Sequence, residues 1–410
     1  MKAEIQELGR LTSLDGLRGV AAVIVLLHHS LLLVPALAAP YYTNQAVGAQ
    51  WSFAWWMVHT PFHLLWEGKG AVFIFFVLSG IVLTLPVLRS DRFSWIAFYP
   101  QRLARLYVPI WAAVIFTVLT FVVVPRVGYV ASDWLRERPT DVTLGAFARD
   151  MTLVLGNGGL ASPLWSLRWE ILFSLAIPLY VYTARIWPGL NPFKALICVG
   201  LITVGGAVEN AFLLYVPMFM LGSLIAVELP RLRDTGHGMD LLTRARMAWG
   251  GLLALGLLLM TTHWIGLGMG LPTRAVGATS GLVVIGACIV VFVAMLWHPV
   301  KRVLGTRPVQ WLGLISFSLY LVHEPIVVAF GYLFGSAGVL LAIPCAILVA
   351  VLVASAFYHL VERPSHVLAK RIRTKMSVTS APRSDLLPVG LKSSASAINV
   401  HPKGAEVEGL

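Results

Sequence analysis

The chain has 410 residues, of which 58% are hydrophobic and only 12% charged, with a formal net charge of +12; its mean hydropathy is +0.80. A water-soluble domain carries about 25% charged residues, so a soluble globule is excluded and an integral membrane protein is required. The basic residues cluster between apolar runs, as cytoplasmic loops do, so the positive charge reads as membrane topology and not as a nucleic-acid surface.

Apolar runs long enough to cross a bilayer lie at about 18–38, 70–88, 106–124, 164–184, 194–208, 212–228, 248–265, 275–297, 312–333 and 337–360. They predict an all-α polytopic protein of about ten transmembrane helices, because lipid admits only helices or closed barrels and ten-residue alternating strands are not found. The run at 194–208 is the shortest. Lys2, Arg10, Arg89, Arg92, Arg102, Arg105, Arg185, Lys194 and the basic groups at 231–246, 301–307 and 370–375 fall on one set of connections. The other set holds Lys69, Arg274 and the segment 125–163, where Arg126, Arg136, Arg138 and Arg149 are offset by Asp133, Glu137, Asp141 and Asp150. This asymmetry predicts both termini in the cytoplasm. Residues 1–370 read as the transmembrane domain and 371–410 as a disordered basic, polar tail.

The first run is bracketed by Arg18 and His29. Eleven residues make about three turns, so the two side chains share a helix face about 16 Å apart, while His28 points elsewhere. Ionisable groups at that depth are costly and are functional candidates. His29 reads either as a helix-packing histidine or as a general base or proton relay; Arg18 reads either as a surface anchor or as a partner of His29 in one cavity. Ala36-Leu37-Ala38 resembles a signal-peptidase site. The preceding Glu4, Glu7 and Asp15, and His28, His29 and Ser30 within the run, favour a retained first span. In 39–69, Trp51, Trp55, Trp56 and Trp66 fit a membrane interface.

Arg102 and Arg105, three residues apart at the mouth of the third span, share a face. Two guanidinium forks suit a phosphate or pyrophosphate; topology and lipid-headgroup contact are the plainer reading. Glu170 follows Pro163-Leu164-Trp165-Ser166-Leu167-Arg168-Trp169 just inside the fourth span. It reads as a local ion pair or as a carboxylate orienting a substrate hydroxyl or a catalytic histidine. His323 and Glu324 interrupt the apolar run before Pro325, which predicts either a kink or a broken helix facing a polar cavity. Cys198, Cys288 and Cys345 fall in apolar stretches and read as small packing residues. No metal-ligand spacing, nucleophile elbow or phosphate loop is found, and no metal is expected.

Six motifs now stand in order: LDGLRGVAAVIVLLHH (14–29), VFIFFVLSGIVLT (72–84), QRLARLYVP (101–109), PLWSLRWEILF (163–173), ISFSLYLVHEPI (315–326) and YHLVERPS (358–365). With them the chain resembles the membrane acyltransferase type 3 family. The resemblance implies a ten-span bundle that moves an acyl group, usually acetyl, from a cytoplasmic donor such as acetyl-CoA. The acceptor it implies is a hydroxyl on a sugar, polysaccharide, lipid-linked glycan or macrolide. It places Arg18 and His29 at the catalytic centre and Arg102 and Arg105 on the donor nucleotide, and it matches Glu170 and His323 to the family's Trp-Ser-Leu and Tyr-Leu-x-His-x-Pro motifs, as catalytic residues expected to position the acceptor or pass a proton. Arg168 and Trp169 stand where smaller residues are usual, and Glu324 where Trp is common. The SGNH-type hydrolase domain of some members is missing from this sequence. The chain is therefore expected to complete transfer alone or to hand the acyl group to a glycan-assembly partner, in a bacterial inner membrane. A transporter or flippase is the rival class, since intramembrane Arg, His and Glu also line transport paths; a scaffold subunit of a glycan assembly complex is a third.

Overall fold

A computed structural model describes residues 11–379 except 44, 47, 91, 92, 129, 131 and 155, with side chains through Met376. Lys2, Glu4, Glu7, Arg10, Arg92 and residues 380–410 of the expected tail lie outside the described residues. Among the described residues the chain is helical and carries no strand. The long helices are α1 (Thr12–Leu31), α2 (Gly68–Arg89), α3 (Trp95–Val123), α4 (Leu164–Arg185), α5 (Asn191–Ala207) and α6 (Ala211–Asp240). They continue with α7 (Ala245–Met260), α8 (Thr262–Gly268), α9 (Ser280–Leu296), α10 (Arg307–Phe334), α11 (Val339–Phe357) and α12 (Arg363–Thr379). Among the described residues nine helices are long and apolar enough to cross a membrane, or ten when the pair α7 and α8 counts as one broken span.

Three elements depart from the expected spans. The seventh is bent by 54° between α7 and α8. Thr261 and Thr262 sit at the break and turn their hydroxyls back onto the carbonyls of Leu258 and Leu259, both at 2.8 Å, which ends α7 by satisfying its last acceptors. The third begins at Trp95, so Arg102 and Arg105 lie within the helix and not at its start. Its first turn is capped by Ser94, whose hydroxyl accepts from the Ala97 N–H at 3.3 Å. Of the two readings of His323–Pro325, a kink or a broken helix, the break does not occur: α10 runs unbroken through Pro325 to Phe334 and stops at Gly335. Gly335 takes a positive φ of 59° that a residue with a side chain resists. A proline within a membrane helix is tolerated when neighbouring helices pack around it, and here His323, Glu324 and Pro325 are all buried. At the C-terminal end, a π-turn at Tyr358–Glu362 leads into α12, so the helix continues past residue 370, where the tail was expected to begin.

Two seams of small residues set the packing. In lipid, helices gain little from burying apolar faces, so close backbone approach through glycine is a principal source of association. A Cβ added at Gly19 would collide with the backbone N of Gly313, one at Gly313 with the carbonyl of Asp15, and one at Gly16 with the carbonyl of Leu304. Thus α1 and α10 lie backbone against backbone. Gly19 meets Gly313 and His29 meets His323, both at an offset of 294 residues, so the two helices run parallel in fixed register. The second seam joins α2 to α6, where a Cβ at Gly80 would strike the Phe219 carbonyl and one at Gly222 the Val77 carbonyl. Thr84 donates to Ser223 beside it, at 2.9 Å. Gly313→Val is expected to separate α1 from α10 and to lower stability by about 3 kcal/mol, read as an earlier loss of monodisperse protein on heating in detergent.

Candidate functional site

The seam delivers polar groups at two levels of α1. Arg18, one residue before Gly19, lines a cavity of about 540 Å³. Arg102 and Arg105 from α3 and Glu170 from α4 line the same cavity, so the sequence-predicted donor pair and Arg18 are brought together. The cavity opens beside Ser90 and Ser94, past the C-terminal end of α2. Arg102 is tied down: its Nη2 donates to Glu170 Oε1 at 2.5 Å and its Nε to Ser174 Oγ at 3.3 Å. The expected local partner of Glu170, Arg168, instead lies near the Trp169 ring at 5.7 Å. Arg105 makes no direct ion pair among the described residues and is exposed to the cavity. An unpaired guanidinium beside a held one is the arrangement that accepts a diphosphate, because each fork offers two parallel donors.

Glu362 also lines this cavity. Its side chain is buried, and its Oε2 accepts from both the Ser318 N–H at 3.1 Å and the Ser318 hydroxyl at 2.5 Å. The π-turn that carries it re-aims one residue out of the helical pattern, as such turns do at working sites. Its other oxygen lies 3.8 Å from His366 Nε2 one turn on, whereas the Ser318 contact, 44 residues away, could not be read from sequence.

The inner end of the cavity is Tyr320 and Ser166. Their hydroxyls lie 2.6 Å apart, and Tyr320 also donates to the Pro163 carbonyl at 3.2 Å. His323 sits one turn beyond, with its ring 5.9 Å from that of Tyr320. His29 and His323 are outside the cavity lining. Arg18 and His29 do share one side of α1 as the spacing predicts, but Tyr320 and Ser166 stand between the cavity and the histidines.

The two histidines touch, which the sequence does not foretell. His323 Nδ1 lies 2.9 Å from the Leu319 carbonyl, and its Nε2 lies 3.0 Å from His29 Nδ1. A carbonyl only accepts, so in the neutral pair His323 carries its proton on Nδ1 and presents a bare Nε2. His29 must then donate from Nδ1, which it shares between His323 and the Val25 carbonyl at 3.0 Å. This inference from the bonding pattern leaves His29 Nε2 without a proton and free to accept one.

The segment between α3 and α4 closes over the pair. Trp134 is buried, with its ring 5.7 Å from His29. Ser132 donates to the Leu32 carbonyl at 2.5 Å. Glu324, adjacent to His323 in sequence, faces this segment: it meets Arg138 Nη1 at 3.5 Å and accepts from the Ser162 N–H at 3.3 Å. Arg126 donates to the Pro139 carbonyl at 2.7 Å. Burial lowers the Arg126 guanidinium to about 10 and the Glu324 carboxylate opposes that shift, so Arg126 stays charged. Glu324 therefore anchors the cover, while His323 serves the pair beneath it. Among the described residues no three metal-ligating side chains are grouped to hold an ion.

The acyltransferase domain family matches residues 11–359. The chain belongs to this family, the acyltransferase 3 group of integral membrane proteins. A 202-residue stretch is 27% identical to acyltransferase MdmB of Streptomyces mycarofaciens, covering 47% of this chain and 47% of that protein. The chain thus spans about half the length of the curated relative it matches. No solved structure matches it.

Removing Arg138 would leave Glu324 buried without its direct ion-pair partner, with only the more distant Arg126 opposite it. Arg138→Ala is expected to cost about 3 kcal/mol, and adding Glu324→Gln should restore much of it; thermal unfolding in detergent of the single and double variants checks this.

Proposed function

We propose that this protein is a membrane acyltransferase that moves an acyl group, most simply acetyl, from acyl-CoA to a hydroxyl of a sugar, polysaccharide or lipid-linked glycan. The observation that carries the reading is the placement of three arginines in one cavity whose inner end, Tyr320 and Ser166, lies one turn from the His323–His29 pair. In this reading Arg18, Arg102 and Arg105 hold the phosphates of the donor, and Glu170 fixes Arg102 for that task. The thioester end reaches Tyr320 and Ser166. His29 Nε2 takes the proton of the acceptor hydroxyl while its oxygen attacks the acyl carbon; the carbon–sulfur bond breaks and the electron pair leaves on the CoA sulfur. His323 positions His29 by fixing which nitrogen is bare and stabilises the imidazolium that forms. The acceptor enters from the side covered by the Trp134 segment. The basic residues at the arginine end of the bundle support a cytoplasmic placement of that end and of both termini, in a bacterial inner membrane.

The test uses membranes containing the protein, labelled acetyl-CoA and a glycan-rich acceptor fraction. Wild type is expected to release CoA and to label the glycan or glycolipid fraction. His29→Ala, at matched expression, is expected to lose at least about 100-fold in rate. Arg105→Ala is expected to raise KM for acetyl-CoA about tenfold with a smaller change in kcat, the cost of one charge-assisted contact. CoA release unaffected by His29→Ala would move the chemistry elsewhere, and no turnover of acyl-CoA by wild type would favour a transporter.

A further inference from the structure

A second buried polar system runs from the histidine pair, and the proposed transfer leaves it unused. His28 meets the His29 ring edge to face, with centroids 5.0 Å apart, and then turns toward the segment joining α1 to α2. Its Nδ1 lies 3.1 Å from the Trp66 carbonyl and 3.3 Å from the Tyr41 hydroxyl. The same hydroxyl lies 3.2 Å from His63 Nε2, and His63 Nε2 lies at an ion-pair distance of 3.1 Å from Glu67 Oε2. The side chains of His63 and Glu67 are 0% and 3% exposed. Glu67 caps α2 through its other oxygen, which accepts from the Gly70 N–H at 2.7 Å. Gly68 permits this: a Cβ there would collide with the His28 ring.

The file has an outlet. Glu67 is within electrostatic reach of Lys69 and His263, and both line a second cavity, of about 220 Å³. That cavity begins at the N-terminal end of α2, whereas the arginine cavity opens past its C-terminal end. His28, Tyr41, His63 and Glu67 therefore bridge the two-histidine centre and a separate opening at the other end of the same helix.

The hydrogen bonds through Tyr41 can be set in two ways. In the first, His28 donates from Nδ1 to the Trp66 carbonyl and the Tyr41 oxygen, and Tyr41 donates to His63 Nε2. In the second, a proton has arrived on the other ring nitrogen of His28, Tyr41 has taken the Nδ1 proton of that imidazolium and given its own to His63, so that His28 is neutral again and His63 is an imidazolium facing the Glu67 carboxylate. Tyr41 ends each setting as a neutral phenol, so one proton passes without leaving charge on it. A chain of buried groups with two such settings conducts protons.

We propose that His28, Tyr41, His63 and Glu67 form a proton relay that carries the acceptor's proton from His29 to the cavity at Lys69 and His263. The proposal rests on the acyl-transfer reading. The acceptor O–H breaks and the oxygen–acyl bond forms, the carbon–sulfur bond breaks, and the thiolate takes a proton from water in the arginine cavity. The proton on His29 leaves through the relay, so one proton is consumed at one cavity and one released at the other. The groups facing His29 are His323, His28 and Arg138; those facing Glu67 are His63, His263, Lys69, His28 and Tyr41.

Tyr41→Phe tests this, because it keeps the ring that packs 4.3 Å from Trp264 and removes only the hydroxyl. Full-length protein in proteoliposomes would be assayed for CoA release at saturating acetyl-CoA, across pH and in heavy water. The expected result is a fall in kcat of about tenfold, an unchanged KM for acetyl-CoA, a larger solvent isotope effect and an unchanged melting temperature. Glu67→Gln is expected to move the pH profile of kcat as well. Wild-type kcat and pH profile in both variants would overturn the relay, as would losses that only track the amount of folded protein. A wild type that turns over no acetyl-CoA would overturn the acyl-transfer reading and the relay with it.

Discussion

Backbone contact between α1 and α10 governs the arrangement of the site. Gly19 and Gly313 leave no room for side chains, so the helices meet backbone to backbone and in a single parallel register. Ten residues further along, about 15 Å at the rise of an α-helix, that register brings His29 Nδ1 to His323 Nε2 at 3.0 Å. At the other end it aims Arg18 into the cavity shared with Arg102 and Arg105. Any slip of one residue would rotate His29 off His323 by a hundred degrees.

From this follows a division of labour along one axis. The arginine end carries fixed positive charge, partly held by Glu170. The middle carries hydroxyls, Tyr320 and Ser166, and beyond them the neutral histidine pair sits under Trp134 and the Arg138–Glu324 contact. Buried carboxylates away from the open part of the cavity are held by partners, Glu324 by Arg138 and Glu362 by Ser318. The protons of the histidine pair can be arranged so that it carries no net charge, which lowers the cost of holding polar groups in lipid.

Much of this was legible in the sequence, for identifiable reasons. Hydropathy gave the number of spans, since each run must match the bilayer thickness. Helical spacing correctly set Arg18 and His29 on one face and turned His28 away, toward Tyr41 and Trp66. Span ends and breaks were less legible. The first turns of α3 are aromatic and polar and escape an apolar window, and the bend at Thr261 depends on hydroxyls bonding back to carbonyls. At Pro325 the sequence left a kink and a break both open, and α10 is continuous there because neighbouring helices pack around the proline. Within the site, the His29–His323 contact and the Ser318–Glu362 clasp join residues 294 and 44 apart. Periodicity within one helix carries no information about such partners.

The most direct measurement of the central claim is a cryo-EM structure of the full chain in lipid nanodiscs with CoA bound. The account predicts the diphosphate against Arg18, Arg102 and Arg105, and the thiol directed at Tyr320 and Ser166, toward the His29–His323 pair. CoA seated elsewhere, or seated with its thiol turned away from Tyr320, would contradict it.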